Sequence, residues 1–233
     1  MTEGRKLPIW QPGQQPLASV IDYTHLVAES GAKELQALCA AAESGGFHSV
    51  CVNGGWVRLC RERLGGTSVK VSAVVGYPLG AQATRAKAFE AAAALEDGAS
   101  EIDMVLSVGK LRDGEFEATE RDISAVVQAV QGGALVKVIV ETGYLTEEQI
   151  RVACKLAASA GADYVQTSTG YGGRGATVAD VRLLREAVGD AIGVKASGGV
   201  RDAAAAIALL NAGANRIGTS AGLAVARGMP SPR

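Results

Sequence analysis

What this chain of 233 residues lacks narrows its function first. It has no excess of either charge: the formal net charge is −1 and no basic run stands out. A nucleic-acid partner therefore has no electrostatic support. It has no stretch of about 18 uninterrupted apolar residues, the least that reads as a membrane-crossing helix, so no membrane contact is expected. The N-terminus holds Pro8, Pro12 and Pro16 and lacks the apolar centre of a secretory signal. Residues 1–16 read as a loose arm and 229–233 as a short tail. The four cysteines, Cys39, Cys51, Cys60 and Cys154, have no metal-ligand spacing. They read as reduced, mostly buried thiols of a cytoplasmic protein. No metal and no cofactor are expected.

What is present fits a large apolar core, with 48% hydrophobic and 20% charged residues. Short β-branched runs alternate with alanine-rich stretches. The strand candidates are Ala18–Asp22, Ser49–Asn53, Val69–Val75, Glu101–Leu106, Leu135–Glu141, Tyr164–Ser168, Gly193–Ser197 and Arg216–Thr219. Helical segments lie between them, among them Ala32–Ser44, Ala81–Asp97, Phe116–Gln131, Glu147–Ala160, Val178–Val188 and Arg201–Ala212. Such alternation implies a parallel sheet with right-handed crossovers. An open doubly wound sheet would favour G-x-G-x-x-G after the first strand, and that motif is absent. The expected fold is α/β, a single (β/α)8 TIM barrel spanning 17–228.

Strand periodicity then locates a polar interior. Barrel strands point alternate residues inward, and those facing the helices should be apolar. With Ile102 and Met104 outward, Glu101 and Asp103 face in. With Val136, Val138 and Val140 outward, Lys137 and Glu141 face in. Val165 outward turns Gln166 and Ser168 inward, and Val194 with Ala196 outward turns Lys195 and Ser197 inward. Buried charges are costly unless paired. Two lysines sharing a lumen with acids form either a structural ion-pair cluster or a reaction site, and the pattern favours the site. Small residues crowd the strand ends where barrel active sites lie: Ser168-Thr169-Gly170, Ser197-Gly198-Gly199 and Thr219-Ser220-Ala221-Gly222. The last two sets are expected to open helices after strands seven and eight, where free N–H groups hold phosphate. The bland alternative is tight turns alone.

Several motifs, in order along about residues 18–223, give the chain a recognisable likeness. They are Ile21-Asp22-Tyr23-Thr24, Val50-Cys51-Val52-Asn53, Gly76-Tyr77-Pro78-Leu79-Gly80, Glu101-Ile102-Asp103-Met104-Val105, Lys137-Val138-Ile139-Val140-Glu141-Thr142-Gly143, Thr167-Ser168-Thr169-Gly170 and Val194-Lys195-Ala196-Ser197-Gly198-Gly199. In these the sequence resembles the deoxyribose-phosphate aldolases. The resemblance implies a class I aldolase that forms a Schiff base with acetaldehyde, glyceraldehyde 3-phosphate being the acceptor. It implies Lys195 beside the nucleophile and Asp103 in the proton relay. It places Asp22, Thr24 and Thr169 toward the substrate, and Gly170, Gly198, Gly199 and Ser220 around phosphate. The implied partner is a small phosphorylated sugar or aldehyde; a homodimer is one possible assembly, and the sequence does not choose the oligomer.

The departure from that pattern is local. The family reads Lys-Thr-Ser-Thr-Gly where this chain reads Gln166-Thr167-Ser168-Thr169-Gly170, and an amide cannot form a Schiff base. Three readings stay open. Another lumen lysine, Lys195 or Lys137, serves as the amine. The barrel keeps its acid–base groups and runs chemistry without an imine. Or it is a non-catalytic or inactivated phosphosugar-binding variant. His25 reads as a packed or lip residue, and His48 as a surface group. Tyr77 and Tyr171 stand where phenylalanine is common.

Overall fold

Eight parallel strands pair in chain order and close on themselves, β1 joining β8. They are β1 (Ile21–His25), β2 (Ser49–Val52), β3 (Lys70–Val75), β4 (Glu101–Val105), β5 (Leu135–Ile139), β6 (Tyr164–Gln166), β7 (Gly193–Ser197) and β8 (Arg216–Thr219). The helices between and after them are α1 (Ala32–Gly45), α2 (Val57–Arg63), α3 (Thr84–Glu96), α4 (Val108–Arg112), α5 (Phe116–Ala129), α6 (Glu147–Ser159), α7 (Val178–Val188), α8 (Ala203–Asn211) and α9 (Gly222–Ala226). This is the expected (β/α)8 barrel. The computed structural model describes residues 10, 11 and 13–228. Most of the expected arm and all of the expected tail lie outside the described residues. Within the arm, Trp10 is buried and its indole N–H donates to the Gln15 carbonyl at 3.2 Å.

Alternation sorts the side chains into two compartments. Val50, Val71, Ala73, Ile102, Met104, Val136, Val138, Val165, Val194, Ala196 and Ile217 join the apolar shell between sheet and helices. Cys51, Val74, Val105, Ile139 and Tyr164 are also buried but stand outside that shell, on the strand positions that face the lumen.

Element boundaries differ from expectation where polarity misleads. The first strand is Ile21–His25, and Leu17–Val20 forms a 3-10 turn instead. Its apolar residues look like a strand, yet the strand continues into Tyr23-Thr24-His25 because one of its faces lines a polar lumen. Helix α8 begins at Ala203, capped by Asp202, whose carboxylate accepts from Ala205 N at 2.8 Å. Gly198 and Gly199 therefore form a turn ahead of the helix, with φ of +88° and +76°, and not a helix start. Helix α2 is the short crossover between β2 and β3, not among the helices named from sequence, and α4 is a short addition ahead of α5.

Helix starts carry local signals. Thr146 accepts from Gln149 N at 3.2 Å, and Gln149 Oε1 accepts from Thr146 N at 3.0 Å, a reciprocal cap on α6. Thr146→Ala should lower stability by about 1 kcal/mol, read as a shift in the urea midpoint without a change in slope.

Candidate active site

Six ionised side chains from five strands meet inside the barrel. They are Asp22 on β1, Glu101 and Asp103 on β4, Lys137 on β5, Lys195 on β7 and Arg216 on β8. Three acids balance three bases, so the group is formally neutral. Lys137 Nζ lies 2.6 Å from Glu101 Oε2, 2.7 Å from Asp103 Oδ1 and 3.1 Å from Ser72 Oγ. Lys195 Nζ lies 2.5 Å from Asp103 Oδ2 and 2.6 Å from Asp22 Oδ2. The Asp22 contact is an ion pair without hydrogen-bond geometry, since that oxygen has no hydrogen bond among the described residues. Arg216 Nη1 lies 2.7 Å from Asp22 Oδ1 and 3.2 Å from Glu101 Oε2, and its guanidinium stands 5.6 Å from the Tyr164 ring centroid. Ser49 and Ser72 donate to Asp22 and Asp103 at 2.7 and 2.9 Å.

These pairings fix the protonation states. Burial alone would raise the carboxyls, but Lys137 and Lys195 hold Asp103 below its ordinary range, and Arg216 with both lysines holds Asp22 well below it. Burial alone would lower the lysines. Asp103 and Asp22 outweigh it at Lys195, and Asp103, Glu101 and Asp22 outweigh it at Lys137, so both amines sit above the usual lysine value. Cys51, whose Sγ is 3.8 Å from Asp103 Oδ2, is pushed up to about 12 by burial and by that acid, and is a thiol.

A cavity of about 310 Å³ opens above this cluster at the C-terminal ends of the strands. Its floor and walls include Asp103, Gln166, Lys195, Ser197, Thr24 and Tyr77, and its rim carries Thr169, Gly170, Gly198, Gly199 and Ser220. Nine of the sequence candidates thus meet at one opening: Asp103, Lys195, Gln166, Thr24, Thr169, Gly170, Gly198, Gly199 and Ser220. Two do not. Lys137 is fully buried in the ion-pair cluster, and Asp22 is buried against Lys195 and Arg216. Lys195 is the lysine that reaches the cavity among the described residues.

Gln166 neighbours Lys195 in the strand register. Its Nε2 donates to Ser197 Oγ at 2.8 Å, and Ser197 Oγ donates to the Ser168 carbonyl at 2.5 Å. Glu141 lies beyond the end of β5 in a left-handed conformation, φ +56°, and leaves the inward row read from alternation. Its carboxylate accepts from both Thr169 N, at 3.2 Å, and Thr169 Oγ1. Tyr77 Oη donates to the Thr169 carbonyl at 2.6 Å, so Thr169 is pinned from both sides. The loops after β6 and β7 touch by backbone: a Cβ on Gly175 would stand 2.2 Å from the Gly198 carbonyl oxygen.

Of the histidines, His25 lines the cavity wall and bonds Ser30 Oγ at 2.6 Å. His48 is not a free surface group: with 31% of its side chain exposed, it reaches Glu101 Oε1 at 3.1 Å. Arg216, Ser49 and Ser72 join the site without having been expected there. Alternation in β8 supplies the missing signal, because Ile217 faces the apolar shell and so turns Arg216 inward.

Lys137→Met leaves Glu101 and Asp103 short of a cation and should cost about 3–5 kcal/mol in urea unfolding at pH 7. The three depressed carboxylates stabilise the fold fully above the unfolded carboxyl range and lose that contribution as pH falls toward their folded values. Unfolding free energy should therefore drop mainly below about pH 4. A curve that stays flat to pH 3 would contradict the ion pairing.

Comparison with known proteins agrees with this architecture. The profile of the family described as DeoC/LacD family aldolase matches residues 17–228. Deoxyribose-phosphate aldolase 1 of Bacillus licheniformis is 54% identical over 213 residues, which cover 91% of this chain and 96% of that protein. Deoxyribose-phosphate aldolase of Thermococcus gammatolerans is 51% identical over 215 residues, 91% of this chain and 96% of that one. Among solved structures, the tetrameric deoxyribose phosphate aldolase of Aeropyrum pernix superposes with a TM-score of 0.83 at 34% identity, covering 91% of this chain and 89% of that one. An aldolase named QR15 gives 0.87 at 38% identity, covering 91% and 94%.

Proposed function

We propose that this chain, which belongs to the DeoC/LacD family of aldolases, acts as a carbon–carbon lyase on a 2-deoxyribose 5-phosphate type of substrate, with its imine step disabled at Gln166. The observation that carries this reading is the state of Lys195. It is the cavity amine, and Asp103 and Asp22 hold it as an ammonium. A protonated amine has no lone pair with which to attack an aldehyde. The resemblance puts the family nucleophile at the position of Gln166, and a carboxamide cannot take over. The rest of the machinery is assembled. Thr24 and Thr169 face the sugar, Asp103 with Lys195 handles protons, and Lys137 keeps Asp103 ionised from beneath.

The phosphate belongs at the rim, which Gly170, Gly198, Gly199 and Ser220 line. Two successive glycines of positive φ let backbone N–H groups turn toward an anion without side chains in the way. The unit is one domain, 17–228. It works in the cytoplasm without a metal or cofactor, and with a second copy of itself as partner. Among the described residues no group of three or more His, Cys, Asp or Glu could hold a metal ion.

Retro-aldol cleavage of 2-deoxyribose 5-phosphate should be weak in this chain and should rise by orders of magnitude in Gln166→Lys. A lysine there would face Lys195 in register, and mutual repulsion would lower its pKa. Borohydride trapping with acetaldehyde, followed by mass mapping, identifies the amine used. Strong cleavage by the Gln166 form with the label on Lys195 would move the nucleophile there, and no gain from Gln166→Lys would sink the reading. Activity should survive EDTA in full.

Gly199→Asp places a carboxylate in open space at the rim, since nothing lies within 4 Å of a Cβ built there. It should weaken the phosphosugar by about tenfold through like-charge repulsion and spare acetaldehyde. Gly199→Ala controls for the strained backbone. Equal loss of both ligands would contradict the phosphate assignment.

A further inference from the structure

Glu141 costs this fold stability in two ways. Its φ of +56° lies in the left-handed region, which L side chains rarely adopt. Its side chain is also buried, at 2% exposure, and burial pushes its carboxyl above the usual glutamate range. A carboxyl raised in the fold lowers stability as pH climbs past its ordinary value, so at neutral pH Glu141 works against folding. The backbone holds the residue in this state. Val140 N donates to Gln166 O and Thr142 N to Thr167 O, each at 2.9 Å, so the chain is tied to β6 and its continuation on both sides of the strained position. Strain that is over-determined in this way collects where function needs it.

What the left-handed turn achieves is a clamp on the loop after β6. Thr169 N donates to Glu141 Oε2 at 3.2 Å, and Thr169 Oγ1 donates to the same oxygen. Tyr171 N donates to Thr169 Oγ1 at 3.0 Å. One carboxylate oxygen thus fixes Thr169 directly and Tyr171 through it. Gly172 completes the seat: a Cβ there would stand 2.7 Å from Glu141 Cδ and Oε1. The loop can lie on the carboxylate because that position carries no side chain. Thr169, Gly170 and Tyr171 line the cavity, and Glu141 does not.

We infer that Glu141 is a positioning residue, which sets the affinity for the phosphosugar by holding loop 169–172 in its binding shape without touching the ligand. This rests on the phosphosugar reading above and deepens it, since Thr169 and Gly170 are the loop residues given to the sugar and its phosphate. A bond present only for stability would not be built from a strained backbone and a buried acid. Its two hydrogen bonds join two loops at the mouth of the barrel, outside the strand ladders.

Calorimetric titration with 2-deoxyribose 5-phosphate compares the full chain with Glu141→Gln and Glu141→Met, each with its urea midpoint. Both variants keep an unbranched side chain at the left-handed position, so the backbone strain cancels. Glutamine still offers an oxygen to Thr169 and should bind within about twofold of the unaltered chain. Methionine has no such acceptor and should bind about tenfold more weakly, as when the ordered loop is populated about one-tenth of the time. Exchange of the Thr169 and Tyr171 amides should quicken in Glu141→Met alone, while β5 and β6 stay protected. Gly172→Ala approaches the clamp from the loop side, outside the sheet, and should weaken the ligand likewise. It carries the test if Glu141→Met does not fold. Unchanged affinity in a folded Glu141→Met or in Gly172→Ala overturns the inference and leaves the phosphosugar reading standing. So does a Glu141→Gln that loses as much as Glu141→Met. If the unaltered chain does not bind 2-deoxyribose 5-phosphate, both are overturned.

Discussion

Six buried charges that cancel hold the centre of this barrel, and they can do so only together. Each ion removed from water carries a desolvation cost of several kcal/mol, which its partners offset when the geometry is good. Here every acid has at least two basic partners and every base at least two acidic ones. The contributors come from β1, β4, β5, β7 and β8, so their meeting requires the closed sheet and its register. The cluster in turn fills the lumen below the cavity, with Tyr164 beside Arg216 and the Ser49 and Ser72 hydroxyls bonded to its acids.

The same network sets the chemistry above it. A lysine whose neighbour is another amine loses its proton readily; one that sits between two carboxylates keeps it. Lys195 is of the second kind here, because Asp103 and Asp22 flank it. Gln166, its neutral register partner, adds no charge to this balance. On the proposed reading it leaves the floor with an ammonium and an amide where the resemblance expects two amines.

Much of this was legible in the sequence, and the rest was hidden for identifiable reasons. Period-two alternation around Ile102, Val136, Val138, Val165 and Val194 places Asp103, Lys137, Gln166 and Lys195 inside, because a strand face that meets helices must be apolar. It fails at Glu141, where the strand has ended and a left-handed residue aims the carboxylate at a neighbouring loop. It leaves depth unresolved: alternation turns Lys137 and Lys195 alike into the lumen, and only the stagger between strands sinks Lys137 into the ion-pair cluster. Arg216 was obscured because its strand is four residues long and the next inward position is Gly218. The turn at Gly198-Gly199 resembled a helix start, since glycine after a strand marks both. Asp202 four residues after Gly198 was the better cap signal.

The backbone contact between Gly175 and Gly198 also decides how this cavity could change over many generations. A side chain on Gly175 would need the two loops to move apart. Tyr77 and Tyr171 also line the cavity; their rings meet edge to face at 5.8 Å between centroids, and Tyr171 is largely exposed. Trimming either ring enlarges the opening without disturbing the sheet. Variation in what the cavity accepts is thus easier at these rings than at the backbone contact of Gly175.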